Sequence, residues 1–249
     1  MSLLSPVQPS SALSTGDLVF VRPTLNRSLP LDAAILDVGA ATIDWLRDVD
    51  RVPVATNFTA VHVAMALRNA TTGALAFVEA VPPAVQLTPE AAFWGGWRGA
   101  TFYRGVLRDP QQRRLGGAAA LLALSQRGRP YADDFAPPSS GRFYCSSLVS
   151  WAYRAAASLP ANRSLFVDRP FPLIFVPRDF WQDYYAQLGL KLPPSNTTGS
   201  NPTLLLHSAA VDASPLQSPL QWPRGTSHAA DLVYTLEVGA VDWTDDVVK

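Results

Sequence analysis

Cysteine is almost missing from this 249-residue chain: Cys145 is the only one. A single thiol excludes an intrachain disulfide framework and the multi-cysteine zinc patterns, so no metal is expected, and no cofactor. An excess of charge of either sign is missing too. Twenty basic and twenty acidic residues cancel to a formal net charge of 0, which removes the electrostatic case for nucleic acid and for an anionic membrane surface. No run reaches the ~18 apolar residues of a transmembrane segment. The longest apolar piece, residues 115–124, is Ala- and Gly-rich and too short. No Gly-x-Ser-x-Gly elbow and no Gly-rich phosphate loop occurs, which argues against a serine hydrolase of that type and against nucleotide chemistry. Residues 1–16 lack a basic stretch followed by an apolar one, so a signal peptide is either absent here or already removed.

What is present suits a globular protein with a sizeable core: 48% hydrophobic residues and seven Trp. Six Asn occur, and five open an Asn-x-Ser/Thr triplet: Asn26, Asn57, Asn69, Asn162 and Asn196. Composition alone would place about one or two such triplets, so these candidate glycosylation sites point to the secretory pathway, extracellular or lysosome-like. Turn chemistry, which also favours Asn, Ser and Thr together, is the competing explanation.

By composition, residues 1–15 form a loose Ser/Pro-rich segment and residues 16–190 the main domain. Residues 191–249 read as a Pro-rich linker and a C-terminal extension too small for its own core, packed on that domain. Strands are expected at 16–22, 58–67, 75–81, 101–107 and 232–238, and helices at 111–125, 144–157 and 179–188, with residues 31–46 helical only in part. The cluster Phe93-Trp94-Gly95-Gly96-Trp97 offers large aromatics for a core or, less often, for the wall of a groove.

Two stretches carry chemistry. Residues 58–67 alternate, with Val61, Val63, Met65 and Leu67 on one face and Ala60, His62, Ala64 and Ala66 on the other. If Asn69 to Thr72 form a four-residue loop to the strand 75–81, Arg68 pairs with Gly73 and His62 stands opposite Glu79. Opposed residues share a face about 5 Å apart at Cβ, within reach of an imidazole–carboxylate hydrogen bond. The second stretch is Phe143-Tyr144-Cys145-Ser146-Ser147-Leu148-Val149, which places the thiol where a helix begins. Free N–H groups and the positive dipole end there favour thiolate and could hold an oxyanion. Each residue also has a purely structural reading, a buried small apolar Cys or a core His bonded to a carboxylate. His207 and His228 fall between Pro-rich stretches and are read as solvated or merely packed.

The blocks Gly16-Asp17-Leu18-Val19-Phe20, Thr59-Ala60-Val61-His62-Val63-Ala64, Phe77-Val78-Glu79-Ala80, Gly128-Arg129-Pro130-Tyr131 and Phe143 to Val149 resemble, in order, those of the permuted NlpC/P60 papain-like family, the YiiX/YaeF-like group. The resemblance covers roughly residues 16–185. It implies an α+β, circularly permuted papain-like fold, with an antiparallel sheet packed against the helix that carries the cysteine. It further implies Cys145 as nucleophile, His62 as base and Glu79 as orienting group; Tyr131 is a candidate oxyanion or substrate-binding hydroxyl. The expected function is a cysteine hydrolase or acyltransferase acting on an amide or ester of a small-molecule, lipid or peptide substrate through a thioester. The alternative is a catalytically idle lipid- or peptide-binding protein on the same scaffold. Two departures stand out: Ser147 takes a position where the family commonly has Glu, and Ala132 separates Tyr131 from Asp133.

Overall fold

The computed structural model describes residues 8–24, 30–136 and 140–219. Asn26, His228 and the strand expected at 232–238 lie outside the described residues. A mixed α+β fold is built on seven strands: β1 (Gln8–Pro9), β2 (Leu18–Arg22), β3 (His62–Arg68), β4 (Leu75–Val81), β5 (Ala84–Pro89), β6 (Thr101–Leu107) and β7 (Val211–Gln217). Their order is β1-β7-β6-β2-β3-β4-β5. The six strands β2 to β7 are antiparallel to their neighbours, and only the two-residue β1 runs parallel to β7.

Both faces of the sheet are covered, and the alternation of β3 sorts its residues between them. Val63, Met65 and Leu67 join one cluster with Leu148, Val149 and Ala152 of helix α5 (Cys145–Ala156) and with Ala119, Ala120 and Ala123 of α4 (Gly116–Ser125). Ala64 and Ala66 join the other, with Phe77, Phe93 and Trp94. Phe93 and Trp94 sit on α2 (Glu90–Gly96), Phe93 stacked on Phe77 at 4.0 Å. That settles most of the aromatic cluster as core. The short helix α3 (Pro110–Arg113) precedes α4, and the single helix expected over 111–125 is broken at Arg114 and Leu115.

The hairpin register differs from expectation by two residues. Arg68 pairs with Leu75 and Met65 with Val78, so the connection is Asn69 to Ala74 rather than four residues. Asn69 causes this: its side chain accepts from the N–H groups of Thr71 and Thr72 at 2.9 and 2.8 Å, and its backbone N–H reaches Ala74 O at 2.9 Å. Gly73 supplies the left-handed residue the longer turn needs, at φ +71°. A slip of two keeps every side chain on its own face. His62 and Glu79 therefore stay on one face, as diagonal rather than opposed neighbours.

Helix α1 (Pro30–Asp48) is longer than the partial helix expected. Its interior Gly39 is explained by packing: a Cβ there would meet Thr203 Oγ1 at 2.7 Å and Thr59 Cβ at 3.0 Å. Thr203 belongs to α7 (Pro202–Leu206), which is buried throughout. Residues 191–217 are thus part of the main body, since they supply α7, a central-sheet strand in β7 and the hydrogen bond from Asn201 Nδ2 to Thr42 Oγ1 at 2.8 Å. Helix α6 (Arg178–Gln187) closes the same end, with Tyr184 and Tyr185 hydroxyls donating to Asp133 O and Asp134 O at 2.9 and 2.7 Å.

Candidate active site

His62 opens β3 and Cys145 opens α5. The imidazole lies between two partners. Its Nε2 donates to Glu79 Oε2 at 2.7 Å, and the Cys145 side chain lies near enough to raise the ring's pKa. Burial, with His62 and Glu79 each 4% exposed, would lower the histidine pKa. The hydrogen bonds and charges of Cys145 and Glu79 outweigh it, and His62 is pushed up to about 10. Burial would raise Glu79, but the His62 hydrogen bond and charge, with bonds from Thr88 and Gln86, hold it below the usual carboxylate range.

The carboxylate is fixed on its other oxygen by β5. Thr88 Oγ1 donates to Glu79 Oε1 at 2.5 Å, and Gln86 Nε2 does so at 3.4 Å while also donating to Thr88 at 3.0 Å. Thr88 and Gln86 went unnoticed in the sequence because β5 itself did. Their signal is the strand alternation after Pro82-Pro83, which puts Gln86 opposite Glu79. On the ring face, Trp97 stacks at 5.2 Å with planes 23° apart. This residue of the aromatic cluster reaches the site and favours the charged imidazole through its π face.

The helix that presents Cys145 is pinned by Ser147. Tyr144 N–H donates to Ser147 Oγ at 2.9 Å, and that hydroxyl donates to Tyr144 O at 2.8 Å. A Glu three residues after the N-cap makes the same backward bond in a capping box, so Ser147 supplies the bond that the commoner Glu would make. Tyr153 on the same helix donates to Gly16 O at 2.5 Å, and Asp17 accepts from Ser14 N and from Arg104. The Gly16-Asp17 block thereby ties the start of β2 to α5.

Cys145 is 7% exposed and opens on a slot lined by Val61, Ile35, Val38, Phe135, Leu173, Ile174, Phe175 and Trp181, with Tyr131, Tyr144, Ser146, Ser200, Asn201 and Pro202 around the thiol. The slot's cavity volume is about 60 Å³. It is narrow and nearly all apolar. Tyr131 is set there by its backbone N–H to Pro83 O at 2.9 Å and by a bridge to Phe143, two residues before the thiol. Burial first, then the charge at Cys145, push its phenol above the usual range, so the hydroxyl keeps its proton. Ser200 and Asn201 come from the segment read as linker: Ser200 N–H donates to Tyr144 Oη at 3.2 Å, and Ser200 Oγ to Ser146 Oγ at 3.2 Å.

Of the sequon asparagines, Asn57, Asn162 and Asn196 are exposed. Asn69 is buried and its side chain is consumed by the hairpin turn, so turn chemistry accounts for that triplet. His207 is buried, with Nε2 donating to Phe58 O at 2.8 Å, a packed histidine away from the thiol's slot. Among the described residues no helix is long and apolar enough to cross a membrane.

No protein-family model matches the chain, and no curated protein matches it. Among solved structures it is similar to the crystal structure of the metalloprotein YiiX from Escherichia coli O157:H7. The TM-score is 0.53 at 18% identity, over 83% of this chain and 98% of that one. The likeness is one of fold. Among the described residues no group of three or more His, Cys, Asp and Glu side chains is placed to hold a metal ion, and Nε2 of His62 is already taken by Glu79.

Proposed function

We propose that this protein is a cysteine hydrolase or acyltransferase, on a circularly permuted papain-like fold, that cleaves an amide or ester of an apolar acyl group. One observation carries the reading: a buried imidazole bonded to Glu79 and near the only thiol, which itself lines an apolar slot. A structural histidine needs one hydrogen-bond partner. This one has a fixed carboxylate on one side and a potential nucleophile on the other, the arrangement that activates a thiol.

In the proposed reaction His62 takes the Cys145 proton and the sulfur attacks the substrate carbonyl carbon, forming the C–S bond. The carbonyl oxygen becomes an oxyanion, which accepts hydrogen bonds from the Cys145 backbone N–H and the Tyr131 hydroxyl. Imidazolium returns the proton to the leaving nitrogen or oxygen as its bond to carbon breaks. A thioester remains. Water or another acceptor, deprotonated by His62, attacks it and restores the thiol. Glu79 keeps the ring oriented and stabilises its charged form throughout. The slot's apolar walls favour a hydrocarbon group.

The test uses p-nitrophenyl octanoate and acetate. Wild type is expected to release nitrophenol and to show a mass increase of one acyl group on Cys145, with octanoate preferred. Cys145→Ala is expected to do neither. Saturable binding of octanoate ester without any adduct would instead mark the idle binding protein.

A further inference from the structure

A second cavity lies on the other side of the cysteine helix, and its chemistry is different. We propose that this groove binds an amphiphilic oxyanion, an apolar body carrying a phosphate or carboxylate group. Its cavity volume is about 450 Å³, within the range of small-molecule sites. Its lining includes three arginines, Arg154, Arg163 and Arg169, against one carboxylate, Asp168. Arg169 is engaged with Asp50 at 3.0 Å. Arg154 and Arg163 make no ion pair with any described residue, Asp168 included. Arg154 is half-buried on α5. Two guanidinium groups free on one groove suit the forked geometry of an oxyanion. Trp151, Phe166 and Leu205 supply apolar wall beside them, which gives the rest of such a ligand somewhere to lie.

The groove does not open on the thiol. Tyr144 and Ser200, joined by their hydrogen bond, face both cavities and separate them, and Cys145 lines only the slot. The inference therefore stands apart from the proposed reaction, and a ligand here needs no nucleophile.

Isothermal titration of the full chain with octyl phosphate tests it, with inorganic phosphate as competitor. The expected result is saturable one-site binding that weakens with salt, falls at least tenfold in the Arg154→Ala/Arg163→Ala double variant, and is unchanged in Cys145→Ala. Arg163→Glu, at an exposed position, is expected to weaken binding on its own. Vesicles containing phosphatidic acid identify the source: binding lost in the double variant means a lipid headgroup, whereas octyl phosphate binding without vesicle binding means a soluble amphiphile. Binding kept within twofold in both arginine variants, no saturable binding at all, or loss of binding in Cys145→Ala overturns the proposal.

Discussion

His62 in the β3–β4 hairpin and His207 at the end of α7 are both buried, 4% and 8% exposed, and both use Nε2 in a hydrogen bond, yet they are shifted in opposite directions. Burial lowers both. For His62 its partners Cys145 and Glu79 reverse the effect. For His207 the only compensation is a neutral carbonyl, Phe58 O, and Arg47 adds to the lowering, so the ring stays neutral. Burial alone does not make a histidine a base. What distinguishes a candidate base from packing is the charge and chemistry of what the ring touches.

The largest expected effect separates the two histidines by thiol chemistry. At pH 6, where an ordinary thiol is almost wholly protonated, His62→Ala is expected to slow iodoacetamide labelling of Cys145 by tenfold or more. His207→Ala is expected to leave it within twofold. Equal slowing by both would erase the distinction and with it the activated thiol.

Stability against pH sharpens the same contrast. His62 has a folded pKa raised from 6.5 to about 10, so its contribution is complete below 6.5 and is lost as pH rises through 10. Glu79, lowered from 4.5, contributes above 4.5 and loses that contribution in more acid solution. His207, lowered from 6.5, must be protonated against its environment in acid, so its share is lost as pH falls below 6.5. Urea unfolding between pH 5 and 9 is expected to give maximal stability near 6.5. His62→Gln should flatten the alkaline side and His207→Gln the acid side down to Glu79's range. An alkaline decline that survives in His62→Gln would show that some other group sets it.

A third substitution inverts the chemistry-versus-stability pattern. Leu205 on α7 is fully buried in the cluster that holds α5 against the sheet. Leu205→Ala is expected to cost about 2–5 kcal/mol of stability while Cys145 labelling in the folded protein stays within a few-fold of wild type. A fully stable Leu205→Ala would mean that α7 is only draped on the body.

These two regions were unequally legible. The hairpin announced itself because its period of two survives any even register error: the loop length was misjudged, and His62 and Glu79 still shared a face. The C-terminal part was hidden for local reasons. Strand β7 reads Val-Asp-Ala-Ser-Pro-Leu-Gln, poor in β-branched residues and interrupted by Pro215, which normally argues against an interior strand. Among the described residues β1 pairs only with Leu216 and Gln217, beyond Pro215. Helix α7 did carry a signal: Asn201 caps it by accepting from Leu204 N at 2.8 Å, with Pro202 in the first turn, a start pattern readable from Asn-Pro alone. The slot itself, assembled from α1, α6 and residues 173–175 and 200–202, is a product of tertiary packing that no periodicity encodes.

The smallest expected effect falls on the helix that joins the two cavities. Ser147 is 2% exposed, and its Oγ is the acceptor for the Tyr144 N–H just ahead of the thiol. Ser147→Ala removes that acceptor and is expected to cost about 1 kcal/mol, a fall in Tm of about 2–4 °C for a chain of this size. Ser147→Glu offers the backward bond again, since the position also borders the wide groove, where a longer side chain has room. It should recover the lost stability and at the same time bring a carboxylate into the groove that holds Arg154. Recovery of Tm together with weaker octyl phosphate binding would show that one residue serves both the cysteine's helix and the groove behind it. A Glu variant less stable than the Ala variant would show that Ser147 is fixed by its buried size and not by the bond it accepts.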